Sequence, residues 1–362
     1  MSSRKSYRPR NTGFSMVEIM VGVAIGLLSI LVVMQIFSSF EGQKRTTTSG
    51  ADAQTNGGIS LYSIERDLRM AGYGLGNAAG CSLSSAFGGA TLPQLTLAPV
   101  SITNGANGLL DTVTILSSNK SSWSVPAKVI SNHLQTDTQF NTDAPVGMAQ
   151  NDLLVAYESI ANVPTCTLLQ VSNANPVINP ILHTTGNWNG STAIFPATYT
   201  TSAELMNLGS LLSHTYSLDA SNNLTLGDYS SASNTSKLQT IAPEIVNLQA
   251  EYGFDTRTGT RTDARVDTWN GNMIDADGSG IAGDAGDIQR IYAVRLAIVA
   301  RSGLKEKPLA DGTCNITTAN PSWAGGSIDV SKNPDGTANA DWQCYRYKTF
   351  ETVAPLRNLI WR

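Results

Sequence analysis

Residues 14–40, FSMVEIMVGVAIGLLSILVVMQIFSSF, form a 27-residue run with a single charge, Glu18. This run constrains the fold more than any other stretch of the chain. As an α-helix it extends about 40 Å at about 1.5 Å per residue, enough to cross a hydrocarbon layer of about 30 Å. A helix of a soluble domain needs one apolar face, whereas this one is apolar all round and has to be enclosed by lipid or by other helices. Ahead of it, residues 1–13 hold Arg4, Lys5, Arg8 and Arg10 and no acidic residue. Positive residues stay on the cytoplasmic side, so the rest of the chain is expected in the periplasm or outside the cell. A secretory signal would show a shorter apolar run and a small-residue cleavage site. Here a helical pattern continues instead: Ile64, Leu68 and Ala71 keep i, i+4, i+7 spacing, with Leu61 before them. The helix is expected to reach about Met70, loosened at Gly50, Gly57 and Gly58, and to lay one face on the domain that follows.

Composition agrees with an exported chain. Charged residues make up 14%, against about 25% in ordinary soluble domains, and Ser, Thr, Asn and 32 Gly take their place. The 41% hydrophobic content supports a sizeable core and excludes wholesale disorder. Net charge is −4, and without the four positive residues of the leader it becomes −8. That is the wrong sign for a nucleic-acid partner. Four cysteines, Cys81, Cys166, Cys314 and Cys344, include no CxxC pair. In an oxidising compartment they suggest two disulfides with three connectivities open, and nearest-neighbour pairing, Cys81–Cys166 and Cys314–Cys344, is the expectation.

Glu18 is the anomaly, because a carboxylate within an apolar helix is costly unless paired. A position at the headgroup boundary, eased by the helix dipole, is one account. The string Gly13-Phe14-Ser15-Met16-Val17-Glu18 supports another. It resembles the type IV prepilin signature: a short basic leader ending in Gly, an aromatic residue next, then Glu as the fifth residue of the mature chain. The resemblance implies cleavage between Gly13 and Phe14 by a prepilin peptidase, which also methylates the new amino group of Phe14. It further implies that Glu18 neutralises the terminus of a neighbouring subunit and so selects register during assembly. In low dielectric an unpaired carboxylate is penalised and a paired one tolerated. Gly22 and Gly26, spaced as GxxxG, permit close helix approach.

Beyond about residue 76 short alternating runs appear between turn-rich stretches: 111–116, 152–158, 165–171, 245–254, 291–300, 344–350 and 352–360. Tyr292, Val294, Leu296 and Ile298 give one large apolar face, as if laid against a helix. The expectation is an α+β, type IV pilin-like fold: leader 1–13, long helix 14–75 and β-rich body 76–362, with one mainly antiparallel sheet under the helix. Residues 172–240 read as long loops and irregular strands. SIERDLRMAGY at 63–73, EYGFD at 251–255, AVRLAIVARS at 293–302 and the closing YKTFETVAPLRNL at 347–359 resemble the PilW family of minor pilins. The family implies an inner-membrane subunit that helps initiate pilus assembly and sits near the tip. Its implied partners are other minor pilins, the major pilin and a large tip-associated adhesin. A type II secretion pseudopilin shares the leader, Phe14 and Glu18. A tip adhesin using the unassigned middle is a further alternative.

Asp275, Asp277 and Ser279 at loop positions 1, 3 and 5, with Gly280 at 6, follow the start of a calcium loop. Position 12 is Gly286 rather than Glu, so Asp284 or Asp287 would have to close the site, with Asp255 and Asp267 as outer candidates. A solvated Asp/Gly loop is the competing reading. No cofactor is otherwise implied. His133, His183 and His214 are separated and read as solvated loop residues, and no nucleophile motif accompanies them. The chain is therefore expected not to be an enzyme. Gly72-Tyr-Gly-Leu-Gly76 reads as a helix stop, and Trp269 as an exposed aromatic beside the acidic loop.

Overall fold

The structure, a computed structural model, describes residues 13–120, 125–160, 163–257, 265–309 and 311–360. The leader charges Arg4, Lys5, Arg8 and Arg10 lie outside the described residues.

One unbroken helix spans Met16–Met70, 55 residues. It is not loosened at Gly50, Gly57 or Gly58, since tertiary packing overrides the weak local preference of glycine. Ser15 caps it, its Oγ accepting from the Glu18 amide at 3.2 Å. It stops at Ala71, where Gly72 takes a positive φ of 75° and its amide turns away to the Leu116 carbonyl at 2.8 Å. The body-facing stripe is Ser49, Ala53, Gly57, Ser60, Ile64, Leu68 and Ala71. Its spacing of fours and threes keeps one face inward. The stripe is small below and large above. Small residues let the sheet approach closely: a Cβ on Gly57 would run into the Phe350 ring. Ile64 and Leu68 are fully buried, each contributing about 1.5–3 kcal/mol by removal from water.

Among the described residues the body holds three larger sheets rather than one. The C-terminal sheet, under the helix, orders Thr268–Asn270, Ile245–Phe254, Ile291–Arg301 and Tyr347–Pro355, all antiparallel. Ile291–Arg301 is buried on both faces, not one. Val294, Leu296 and Ile298 share the main core with Ile64 and Leu68. Ala297 and Val299 lie with Val246, Ile328 and Val330 in a second cluster on the other face. The expected runs 344–350 and 352–360 are one strand, Tyr347–Pro355, followed by the short helix Arg357–Ile360.

A five-stranded antiparallel sheet orders Thr235–Ala242, Leu224–Ser230, Leu212–Leu218, Thr112–Ser117 and Val100–Thr103. A six-stranded sheet is centred on Leu153–Ile160, flanked by Val163–Gln170 and Glu204–Gly209. Residues 172–240 therefore contribute four regular strands of six to eight residues. Asp111 joins two of the sheets from a buried position, its carboxylate accepting the Gly105 amide at 2.8 Å and the Ala250 amide at 2.7 Å. Burial pushes its carboxyl up to about 6.

Candidate functional site

The helix N-terminus is built by sequence-local rules. Gly13 and Phe14 precede the helix and are exposed, Ser15 caps, and Glu18 stands in the first turn, where the helix dipole favours a carboxylate. From Phe14 to Phe40 the large apolar residues are uncovered, with Phe14 80% and Leu28 64% exposed. The helix is long and apolar enough to cross a membrane. A patch of this size marks a surface that a membrane or other subunits must cover. Gly22 and Gly26 have no atom within 4 Å of where a Cβ would stand, so the helix surface is open there. What this end can do is therefore associate: it offers one carboxylate and an apolar rod.

The body is fixed to the rod by polar contacts as well as packing. His214 lies on a strand, not in a solvated loop. Its Nδ1 is 2.6 Å from the Asp67 carboxylate of the helix, and its Nε2 is 3.6 Å from Asp228. Tyr216 donates to the same Asp67 oxygen at 2.7 Å. The hydrogen bond with Asp67 raises the His214 pKa against its burial. Burial works to raise Asp67, but the bonds from His214 and Tyr216 hold its carboxyl below the usual range. His133 and His183 are also buried, with their Nε2 atoms 3.0 Å apart. His133 stacks on Phe140 with ring centroids 3.8 Å apart. Their sequence neighbours are polar, but the strands and turns that carry them point the rings into a shared aromatic core.

The structure pairs Cys81 with Cys166 and Cys314 with Cys344. The first bond sits in the main core beside Leu83 and Trp188. The second fastens the segment that covers the outer face of the C-terminal sheet.

In the acidic loop, one carboxylate oxygen from each of Asp275, Asp277 and Asp287 lies within 4.8 Å of the others. Asp275 accepts the Gly278 and Gly280 amides at 2.8 and 2.9 Å, curling the loop around its carboxylate. Gly280 adopts φ 88°, a conformation that suits glycine. Asp287 is fully buried and accepts the Ala276 amide at 2.6 Å and the Gly283 amide at 2.7 Å. Burial raises its pKa despite these donors. Ser279 and Asp284 are drawn to each other instead, Oγ to Oδ2 at 2.8 Å, and Asp284 caps the short helix Ala285–Ile288. Asp255 and Asp267 are engaged around Arg257, outside the cluster. Three of the five expected ligands thus converge. Trp269 is half-buried with the Arg295 guanidinium 5.0 Å from its ring centroid, which makes it a packing residue.

Comparison with known proteins gives one family. Residues 213–358 match the model PilW, Type IV Pilus-assembly protein W. No curated protein and no solved structure shows a significant match.

Proposed function

We propose, on the premise that the chain is a PilW-family type IV pilus protein, that it is a minor pilin which initiates pilus assembly and is incorporated at or near the tip. The observation that carries this reading is the joining of two parts. An uncovered apolar helix with Glu18 in its first turn is continuous with a body whose C-terminal portion bears the pilus-assembly family match. In this reading a prepilin peptidase cuts between Gly13 and Phe14 and methylates Phe14. Removal of the leader charges frees a helix held first by the inner membrane, with the body periplasmic. Assembly then transfers the apolar rod from lipid to neighbouring pilins, Glu18 pairing with an adjacent terminus. The major pilin, other minor pilins and a tip adhesin are its partners. The exposed N-terminal geometry supports a polymerising role over catalysis.

Blocking cleavage tests it. A Gly13→Val chain is expected to keep its full mass, remain in the membrane and leave cells without surface pili. Glu18→Ala is expected to be processed normally while piliation falls. Normal piliation with uncleaved protein would overturn the reading, and intact pili with lost protein secretion would assign the chain to a secretion system.

The acidic loop is proposed as a calcium site on the same body, held by Asp275, Asp277 and Asp287. A ligand bound to the folded state at 100 times its dissociation constant adds about 2.7 kcal/mol. Calcium is therefore expected to raise the melting temperature of the full chain, and a chelator or Asp277→Ala to abolish the rise. No shift between calcium and chelator would remove the site.

A further inference from the structure

We propose that residues 303–309 form a platform that rests on the anionic phospholipid headgroups surrounding the chain's own anchor. The proposal rests on the membrane-inserted state described above. The place of this loop carries the argument. It meets the helix at a cleft of about 560 Å³, between Ser38, Gly42 and Thr46 on one side and residues 304–308 on the other. Thr46 Oγ1 is 3.1 Å from Glu306 Oε2. Thr46 lies six residues past Phe40, about 9 Å along the axis, and Ser38 is within the apolar run itself. The polar layer of a leaflet adds roughly 5–8 Å outside the hydrocarbon. Once the helix is inserted, the loop lies at headgroup height.

The loop is held in shape before it meets any lipid. The Ser302 amide donates to the Arg346 carbonyl at 2.8 Å and the Glu306 amide to the Cys344 carbonyl at 2.9 Å. Cys344 is itself fixed by the disulfide to Cys314. Glu306 is turned inward, accepting from Thr46 and, at 2.8 Å, from Arg346. What remains outward is Leu304 and Leu309, each 48% exposed, with the exposed Lys305 and Lys307 and Pro308.

Charge selects the occupant. The processed chain is acidic at −8, counted without the four positive leader residues, so an anionic leaflet repels the body as a whole. This contact zone presents two exposed lysines, Lys305 and Lys307. Lys307 has no ion-pair partner among the described residues. Lys305 is paired with Asp341, but both are about half exposed, and such surface pairs are weak enough to be exchanged for a phosphate. Glu41 and Glu306, which line the same cleft, and Asp341 beside Lys305 are nearby charges that oppose the contact. Two leucines flanking two lysines match an interface with acyl chains below and phosphates above. The apolar surface of the helix leads directly into it, so the platform continues the membrane contact already made by the anchor.

The full chain in nanodiscs tests this. Hydrogen exchange of residues 303–309 is compared in phosphatidylcholine discs and in discs containing phosphatidylglycerol. Protection is expected to rise in the anionic discs and to weaken with salt. Lys305→Gln with Lys307→Gln is expected to lower that protection roughly 25-fold, about five-fold per lysine. Equal exchange in both lipids, or protection that appears only when a second pilin is added, overturns the proposal. Incorporation into the discs, read from co-elution with lipid, reports separately on the anchor. A chain that fails to incorporate overturns the membrane reading, and with it the platform.

Discussion

Replacing Cys81 and Cys166 together with alanine is expected to lower the stability of the body by about 4 kcal/mol. The bond joins residues 85 apart in sequence, and closing a loop of that length restricts the unfolded chain by about 4.5 kcal/mol in the chain-entropy account. Both residues are 1% exposed, so loss of the sulfurs also leaves the core underfilled. The local backbone pairing, Leu83 opposite Cys166 in parallel register, does not replace the cross-link, since those contacts form only once the chain has folded. In a urea titration of the full chain in detergent, with a slope of about 3 kcal/mol per molar, the midpoint is expected to fall by more than 1 M. Removing Cys314 and Cys344 is expected to act differently. That bond spans 30 residues at the rim, and its loss is expected to appear as faster hydrogen exchange over residues 303–346 with a smaller change in midpoint. A global loss as large as that from Cys81 and Cys166 would show that the rim segment and core unfold as one unit.

The two halves of the helix show why some of this molecule is legible in its sequence and some is not. Residues 14–40 are apolar on every side, a pattern that reads directly as a helix to be enclosed by lipid or by other helices. Ile64 and Leu68 carry the helical period in large side chains. Below them the same period continues through Ser49, Ala53, Gly57 and Ser60, but small residues leave no mark in a pattern built on hydrophobic size. Their information is the closeness they permit, and that has meaning only once Phe350 is seen against Gly57. The Thr235–Ala242 strand was hidden for another reason. Residues 235–240 are exposed, so no face is selected and no alternation is written.

The candidate site divides along the same line. Gly13, Phe14, Ser15 and Glu18 are neighbours in sequence, and their arrangement follows from capping and the helix period alone. The acidic loop is also local, yet which oxygens converge depends on backbone donors. Backbone amides hold Asp287 inside, and the Ser279 hydroxyl draws Asp284 aside. The histidines are not legible from their sequence neighbours, which are polar. The contact that defines His133 lies 50 residues away, and the one that defines His214 lies 147 residues away.

The buried histidine pair leads to a dependence on acid. Burial, with the neighbouring His133, pushes His183 down to about 4, and burial lowers His133 as well. Asp137 opposes both shifts from nearby. A histidine with a depressed folded pKa binds fewer protons when folded than when unfolded. Its contribution is present above the unfolded value near 6.5 and is lost as pH falls through that value towards 4. At about 1.36 kcal/mol per unit, His183 alone accounts for about 3 kcal/mol. Asp111 works against this over nearly the same interval. Its folded pKa is raised to about 6, so it binds more protons when folded and gains stability as pH falls. A simple pH titration therefore shows the two partly cancelling. Comparison with His183→Gln separates them, because Asp111 contributes equally to both chains and cancels from the difference. The variant is expected to be less stable at pH 7, and its deficit to shrink by about 3 kcal/mol at pH 4 as the native pair is forced to accept a charge among Phe140, Phe195 and Tyr199. A stability gap that stays constant from pH 7 to pH 4 would mean that the imidazoles titrate as freely in the folded chain as in the unfolded one.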